Sequence, residues 1–385
     1  GVTVYFGKKR GNASTSDFSP RAIEDTVKAA CTIAKFTAAD EFSGLPEEAL
    51  QFRGDLPELD LYHPWSLSVE DAIELATRCE AAAMAVDKRI TNSEGASVST
   101  QESSFIYANS QGFVNGYPGS RHDIGASVIA EQDDAMQRDY WYTTARNFHD
   151  LESTESVGRR TGERAVARLN AKKIGTMQVP VLFEAPIASG LISSFVGAVS
   201  GGSLYRKSSF LLDSLGKQIF SANVQLRESP FIQKGLASGA FDNEGVATHE
   251  RDVIKDGIVQ GYFLSSYSAR KLGMQTTGNA GGSHNLILQS SALDFKALLK
   301  KMGTGLVVTE LLGQGVNMVT GDYSRGAAGY WVKNGEVQHA VEEITIAGNL
   351  KDMFKQIVAV GNDVIKRGSV QCGSILIEKM TVAGD

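Results

Sequence analysis

The stretch Gly321-Asp322-Tyr323-Ser324-Arg325-Gly326-Ala327-Ala328-Gly329-Tyr330-Trp331-Val332-Lys333-Asn334-Gly335-Glu336 reads as a glycine-rich loop, a strand and a tight turn. The returning strand then runs on through Val341-Glu342-Glu343-Ile344-Thr345-Ile346. Asn-Gly between two apolar runs predicts a type I′ turn, because both central residues need a positive φ. The same design recurs in Val253-Ile254-Lys255-Asp256-Gly257-Ile258-Val259, an echo of hairpin chemistry and not a repeat. Outward from these hairpins, Val179-Pro180-Val181-Leu182-Phe183 reads as a buried strand leading into a helix over 187–200. Further helices are expected near 294–302 and 350–357. Glycine supplies 40 of 385 residues, and much of it falls in Gly278-Asn279-Ala280-Gly281-Gly282, Gly303-Thr304-Gly305 and Gly313-Gln314-Gly315. Such loops serve either as tight turns or as places where backbone amides approach a ligand. The expectation is a strand-rich, glycine-rich domain over 173–385.

The first half is patterned differently. Ser19-Pro20 gives a cap and a first-turn proline to a helix whose apolar stripe is Ile23, Val27, Ala30 and Ala34. A second helix starts near Ser68, with Ala72, Leu75, Cys79, Ala82 and Val86 on one stripe. The period then changes from 3.6 to 2. Residues 97–108, 112–117, 124–131 and 138–148 read as strands, broken at Asn109-Ser110-Gln111-Gly112 and at Asp133-Asp134. A helix over 154–170 follows, with Val157, Ala165, Val166 and Leu169. An antiparallel sheet with helices is an α+β domain, placed at 1–172.

At 385 residues two domains are the natural expectation. With 42% hydrophobic and 21% charged residues the composition is that of a soluble globular protein. No apolar run approaches the roughly 20 residues of a membrane helix. A net charge of −6, with dispersed Lys and Arg, argues against nucleic acid as the main partner. Cys31, Cys79 and Cys372 are three widely separated thiols, which form no disulfide framework and suit a reducing cytoplasm. Cys31 and Cys79 fall on helices among apolar neighbours, as buried thiols do.

Catalytic patterns are sparse. The six histidines (His63, His122, His149, His249, His284, His339) all lie more than about twenty residues apart, so none forms the one-turn pair of a helical zinc motif. His249-Glu250 opens such a motif but has no second histidine. A composite site from His249 or His284 with Asp242, Glu310 or Cys372 stays open as a stand-alone hydrolase reading. No Gly-x-Ser-x-Gly elbow or Walker A is present, and Gly303-x-Gly305 follows a helix where a dinucleotide fingerprint follows a strand. Glu342 and Glu343 are strand neighbours and so point to opposite faces. Asp242 and Glu244 sit in a turn, where a carboxylate caps backbone amides. What remains is a candidate peptide-binding set. Asp322, Ser324 and Arg325 offer an acceptor, a donor and a guanidinium fork that can take a peptide carboxylate or pair internally with Asp322. Asn279, Ser283 and His284 add hydrogen-bonding groups, and exposed sheet edges offer strand addition to an extended peptide.

The segment opening this section, together with Asp87-Lys88-Arg89-Ile90-Thr91-Asn92, Tyr205-Arg206-Lys207-Ser208-Ser209-Phe210, Ser265-Ser266-Tyr267-Ser268-Ala269-Arg270 and Met302-Gly303-Thr304-Gly305-Leu306, resembles the TldD/PmbA family of bacterial metallopeptidase-related proteins, closest to its PmbA/TldE-type subunits. The resemblance spans nearly the whole chain. It implies that a helix and strands precede Gly1 in the intact protein. TldD-type subunits carry His-Glu-x-x-x-His on a helix before a segment like Leu204-Tyr205-Arg206-Lys207. Counting back from that segment puts Ser193, Ser194 and Ala198 where the two histidines and the glutamate would stand. The resemblance therefore implies no zinc in this chain, zinc in a TldD-like partner, a cytoplasmic heterodimer or larger assembly, and small or unfolded peptides as substrates. In that picture this chain is inactive alone and contributes chamber wall and substrate contacts. The alternative is a noncatalytic peptide-binding or scaffolding homodimer.

Overall fold

A computed structural model describes residues 1–133 and 135–384. The chain opens with a hairpin, β1 (Val2–Phe6) and β2 (Lys9–Ala13), against which α1 (Pro20–Phe36) packs. Ser19 accepts from the Ala22 amide and Pro20 occupies the first turn, as its sequence predicts. The buried face is Thr26, Ala30 and Ala34, while Ile23 is 44% and Val27 38% exposed. The expected stripe is thus rotated, because a two-stranded hairpin is wide enough to cover only the small-residue side.

The next unit comprises α2 (Val69–Met84), β3 (Ile90–Ala108), β4 (Val114–Gln132), β5 (Ala135–Ala145) and α3 (Thr154–Ala167). The strands form one antiparallel sheet in the order β3-β4-β5. The segments expected as separate strands at 112–117 and 124–131 are one strand of 19 residues. Pro118 does not break it, since β5 pairs only with His122–Gln132 and the proline therefore sits where β4 has a single neighbour. The predicted turn at Asp133-Asp134 includes Asp134, which lies outside the described residues. Helices α2 and α3 touch through Gly158 and Gly162. A Cβ there would lie 2.1 Å from the Cys79 carbonyl oxygen and 2.6 Å from that of Ala83.

The second half contains β6 (Met177–Phe183), α4 (Ala185–Ala198), α5 (Gly201–Tyr205), β7 (Leu226–Glu228), β8 (Arg251–Lys255), β9 (Ile258–Val259), α6 (Ser266–Lys271) and β10 (Leu286–Leu288). It continues with α7 (Phe295–Met302), β11 (Gly305–Leu312), β12 (Asp322–Lys333), β13 (Glu336–Asn349), α8 (Leu350–Lys355), β14 (Ile357–Val360), β15 (Val370–Gln371) and β16 (Ile375–Ala383). The larger sheet has the order β13-β12-β11-β6-β16-β14, and β13 also pairs with β16, so the sheet closes on itself. The smaller sheet is β15-β10-β7-β8-β9. Both predicted I′ turns form, with positive φ at Asp256 and Gly257 and at Asn334 and Gly335. The core between the sheets holds Phe183, Phe195, Phe220 and Phe354, with the Phe220 and Phe354 rings stacked at 4.5 Å. The whole is α+β.

One correction bears on the site. The segment expected as a glycine-rich loop from Asp322 is the first half of β12, paired with β13 from Asp322 and with β11 from Gly326 onward. Glycines and alanines there let neighbouring backbones approach, so their frequency marks a crowded sheet and not a loop.

Candidate functional site

Helix α4 begins directly after β6, with Pro186 in its first turn. It buries Ala188, Leu191, Ile192, Phe195 and Ala198 against the core. The opposite face carries Ser193 and Ser194, whose hydroxyls donate to the Ser189 and Gly190 carbonyls at 3.0 and 2.9 Å. This back-bonding to the preceding turn is the usual resting state of a helical serine.

Facing α4, strand β12 alternates its side chains. Asp322 and Ser324 point outward and are exposed, while Tyr323 and Arg325 line a cleft of about 520 Å³ together with Pro186, Ser194, Arg138 and Glu310. Tyr323 is 3% exposed, its hydroxyl lies within reach of the Arg325 side chain, and the hydroxyl and Arg325 Nε are both shut from water without a well-formed hydrogen bond among the described residues. Arg325 Nη2 makes one long bond of 3.4 Å to the Leu311 carbonyl. Burial pushes the Tyr323 phenol up to about 12, against the pull of the Arg325 charge, so it remains a neutral donor. Unpaired buried donors of this kind carry a desolvation cost of about 1–3 kcal/mol each. The cleft thus holds a cation and a phenol on one wall, and both are built to donate.

Asp322 does not pair with Arg325. Its carboxylate accepts from Thr320 Oγ1 at 2.6 Å and Asn349 Nδ2 at 3.0 Å, which ties the start of β12 to the end of β13. Asn279 and His284 lie elsewhere, in a buried cluster around Glu228. Asn279 Nδ2 donates to Glu228 at 2.8 Å, the His284 amide at 2.8 Å, and Arg251 Nε at 2.7 Å. His284 Nδ1 lies 3.1 Å from the same carboxylate. Burial raises the Glu228 carboxyl, but the His284 hydrogen bonds and the Arg251 charge overcome this and hold it at about 2. Of the candidate residues named from sequence, Arg325 lines the cleft, Asp322 and Ser324 flank its strand, and Asn279 and His284 belong to the Glu228 cluster.

Asp242 behaves as a turn-making carboxylate, accepting from the amides of Glu244, Val246 and Ala280 at 2.9, 3.0 and 2.9 Å. Its burial nevertheless pushes it up to about 6. Glu342 accepts from Gln137 and Glu343 pairs with Lys173, so the two adjacent carboxylates serve different neighbours.

Tyr323 packs in the core, edge-on to Phe183, and also borders the cleft. The period-2 alternation with Arg325 would have found it once the segment was recognised as a strand. A second group that escaped notice is the ion cluster fastening the cleft to the first half of the chain. Arg164 on α3 reaches Asp139 at 3.2 Å and Glu184, the cap residue of α4, at 2.9 Å. Arg168 reaches Glu310 on β11 at 2.5 Å, and Arg138 reaches it at 3.5 Å. These contacts span long sequence separations and have no local signal.

The cleft does not suit zinc. Ser193, Ser194 and Ala198 offer neither imidazole nor carboxylate, and Cys372 is 1% exposed, with burial pushing its thiol up to about 12. Among the described residues no three His, Cys, Asp or Glu side chains converge to hold a metal ion.

Comparisons with known proteins agree over the whole length. Models of the PmbA/TldA metallopeptidase central and C-terminal domains match residues 62–169 and 176–384. A protein called Metalloprotease PmbA from Escherichia coli O157:H7 is 52% identical over 385 residues, covering 100% of this chain and 85% of that protein. A solved structure from Bacteroides thetaiotaomicron, described as a candidate modulator of DNA gyrase, superposes with a TM-score of 0.94 at 28% identity, over 100% of this chain and 87% of that one. TldE from Thermococcus kodakarensis shares the fold, with a TM-score of 0.83 at 21% identity over 98% of this chain and 88% of that one.

Proposed function

The chain belongs to the PmbA/TldD metallopeptidase family, and on that premise we propose that it is a PmbA/TldE-like subunit that holds peptides for a zinc-bearing, TldD-like partner in the cytoplasm. The observation that carries this reading is the cleft itself. At the helix face where the resemblance places the family's metal motif, this chain presents two serines bonded to their own helix. The opposite wall presents Arg325 and Tyr323, whose Nε and Oη lie just behind the cleft surface without a well-formed partner among the described residues. Such a wall can receive an anionic or carbonyl oxygen, while the carboxylate in the lining, Glu310, is paired with Arg138 and Arg168. In the assembly the partner supplies the metal and the proton-accepting carboxylate. This chain contributes Arg325 and Tyr323 to position the substrate, most simply through a peptide carboxylate donated to by the guanidinium edge.

The test compares a short peptide bearing a free C-terminal carboxylate with its amidated twin, using calorimetry on this chain. The free acid is expected to bind more tightly, and Arg325→Gln to cost about tenfold in affinity for the acid alone, the size of one charge-assisted hydrogen bond. Tyr323→Phe, which preserves packing, is expected to weaken both peptides. Equal binding of the two peptides to wild type and to R325Q would remove the cleft from the substrate path.

A further inference from the structure

A second cleft, of about 580 Å³, lies between β5 and the segments 232–236 and 364–368 of the other half. Its lining includes five cations (Arg146, Arg160, Lys234, Lys366, Arg367) and two carboxylates (Asp150, Glu152). The carboxylates are already engaged. Asp150 pairs with Lys234 at 3.1 Å, and Glu152 lies 3.7 Å from Arg160 and accepts from Trp141 Nε1 at 3.1 Å. Arg146 donates only to the backbone carbonyls of Ser120, Gly235 and Leu236, so its charge is bonded but not neutralised.

Arg367 is the unusual member. Its guanidinium lies 3.9 Å from the Trp141 ring centre and 4.0 Å from that of Tyr142, and no described residue accepts a hydrogen bond from its Nη2, which is shut from water. Ring contacts recover part of the desolvation cost, but they leave the planar edge of the cation without an acceptor. A guanidinium fixed on aromatic faces in the wall of the cleft, with no carboxylate bonded to it among the described residues, is preorganised for one entering the cleft.

The shape of the cleft identifies what brings that carboxylate. Thr143, Thr144, Ala145 and Arg146 all line it in succession. Successive side chains of a strand point to opposite faces, so three consecutive lining residues at the end of β5, Thr143 to Ala145, mean that the strand presents its edge there. Strand β5 is the outer strand of its sheet and pairs only with β4. An open strand edge beside uncompensated cations fits an extended polypeptide with acidic side chains.

We propose that this cleft is an exosite for an acidic segment of peptide, which adds along the edge of β5 and places a carboxylate on Arg367, with Lys366 contributing from the rim. The inference rests on the peptide-handling reading above, and its test uses binding alone, independent of cleavage. Labelled hexaglutamate, hexaserine and hexalysine would be titrated against the full chain by fluorescence anisotropy at two salt concentrations. Hexaglutamate is expected to bind in preference to the other two and to weaken as salt rises. Arg367→Met is expected to reduce hexaglutamate affinity by about tenfold. Lys366→Gln, at an exposed position that leaves the fold untouched, is expected to cause a smaller loss. Equal binding of the three peptides, displacement of hexaglutamate by inorganic phosphate at equal concentration, or hexaglutamate affinity unmoved in both variants would overturn the exosite. R325Q should leave hexaglutamate binding within twofold, so the two clefts can fail separately.

Discussion

At the scale of single residues, Glu228 is the clearest case of chemistry that decides stability. It is 1% exposed, yet held ionised by Arg251, Asn279 and His284. These partners hold its carboxyl at about 2, well below the ordinary glutamate range. A depressed carboxyl contributes stability that is fully present above about pH 4.5 and lost as pH falls towards 2, a contribution on the order of 3 kcal/mol. Glu228→Gln should therefore lower the melting temperature at pH 7 and flatten its decline between pH 4.5 and 2, as read by calorimetric melts across that range. A melt profile of E228Q that parallels wild type would show that the cluster carries no charge linkage. Sequence alone named Asn279 and His284 as polar loop residues but could not name their partner, because the Asn279 contact to Glu228 spans 51 positions. Arg325 was legible as an available cation. That Tyr323 stands beside it needed the strand.

At the scale of elements, the local rules were readable and the neighbours were not. The caps at Ser19 and Ser68, the first-turn prolines and the two I′ turns are written in short motifs, and they form as those motifs dictate. The strands expected at 112–117 and 124–131 are one strand, and only the sheet order shows that β4 tolerates Pro118 because one of its sides lacks a paired strand there. The α2–α3 contact gives an element-scale prediction. Gly158→Ala places a methyl 2.1 Å from the Cys79 carbonyl oxygen, which is backbone and cannot swing aside. The helices must separate, at a cost of about 1–3 kcal/mol typical of overpacking. Denaturant titration should show a lower midpoint with an unchanged slope. Gly190→Ala, at a helical glycine of α4 with open space around it, is the control for a general glycine effect.

At the scale of the whole molecule, the first half of the chain has a structural part in the cleft. Through Arg164 and Arg168, helix α3 holds Glu184 at the start of α4 and Glu310 on β11, the two elements that frame Tyr323 and Arg325. Cleft geometry is thus set jointly by both halves, and no motif in either sequence segment announces it. The α+β class was readable from the change of period, whereas the closure of the large sheet by β13 and β16 was not, because it joins residues distant in sequence. The central claim is that this chain positions substrate while a partner supplies the metal. It is tested by mixing this chain with a zinc-bearing, TldD-like subunit and measuring bound zinc and cleavage of an unstructured peptide in each protein alone and in the mixture. This chain alone is expected to hold no stoichiometric zinc and to cleave nothing, and the mixture is expected to cleave, less so when Arg325→Gln is introduced here. One tight zinc per chain together with cleavage by this chain alone would contradict it.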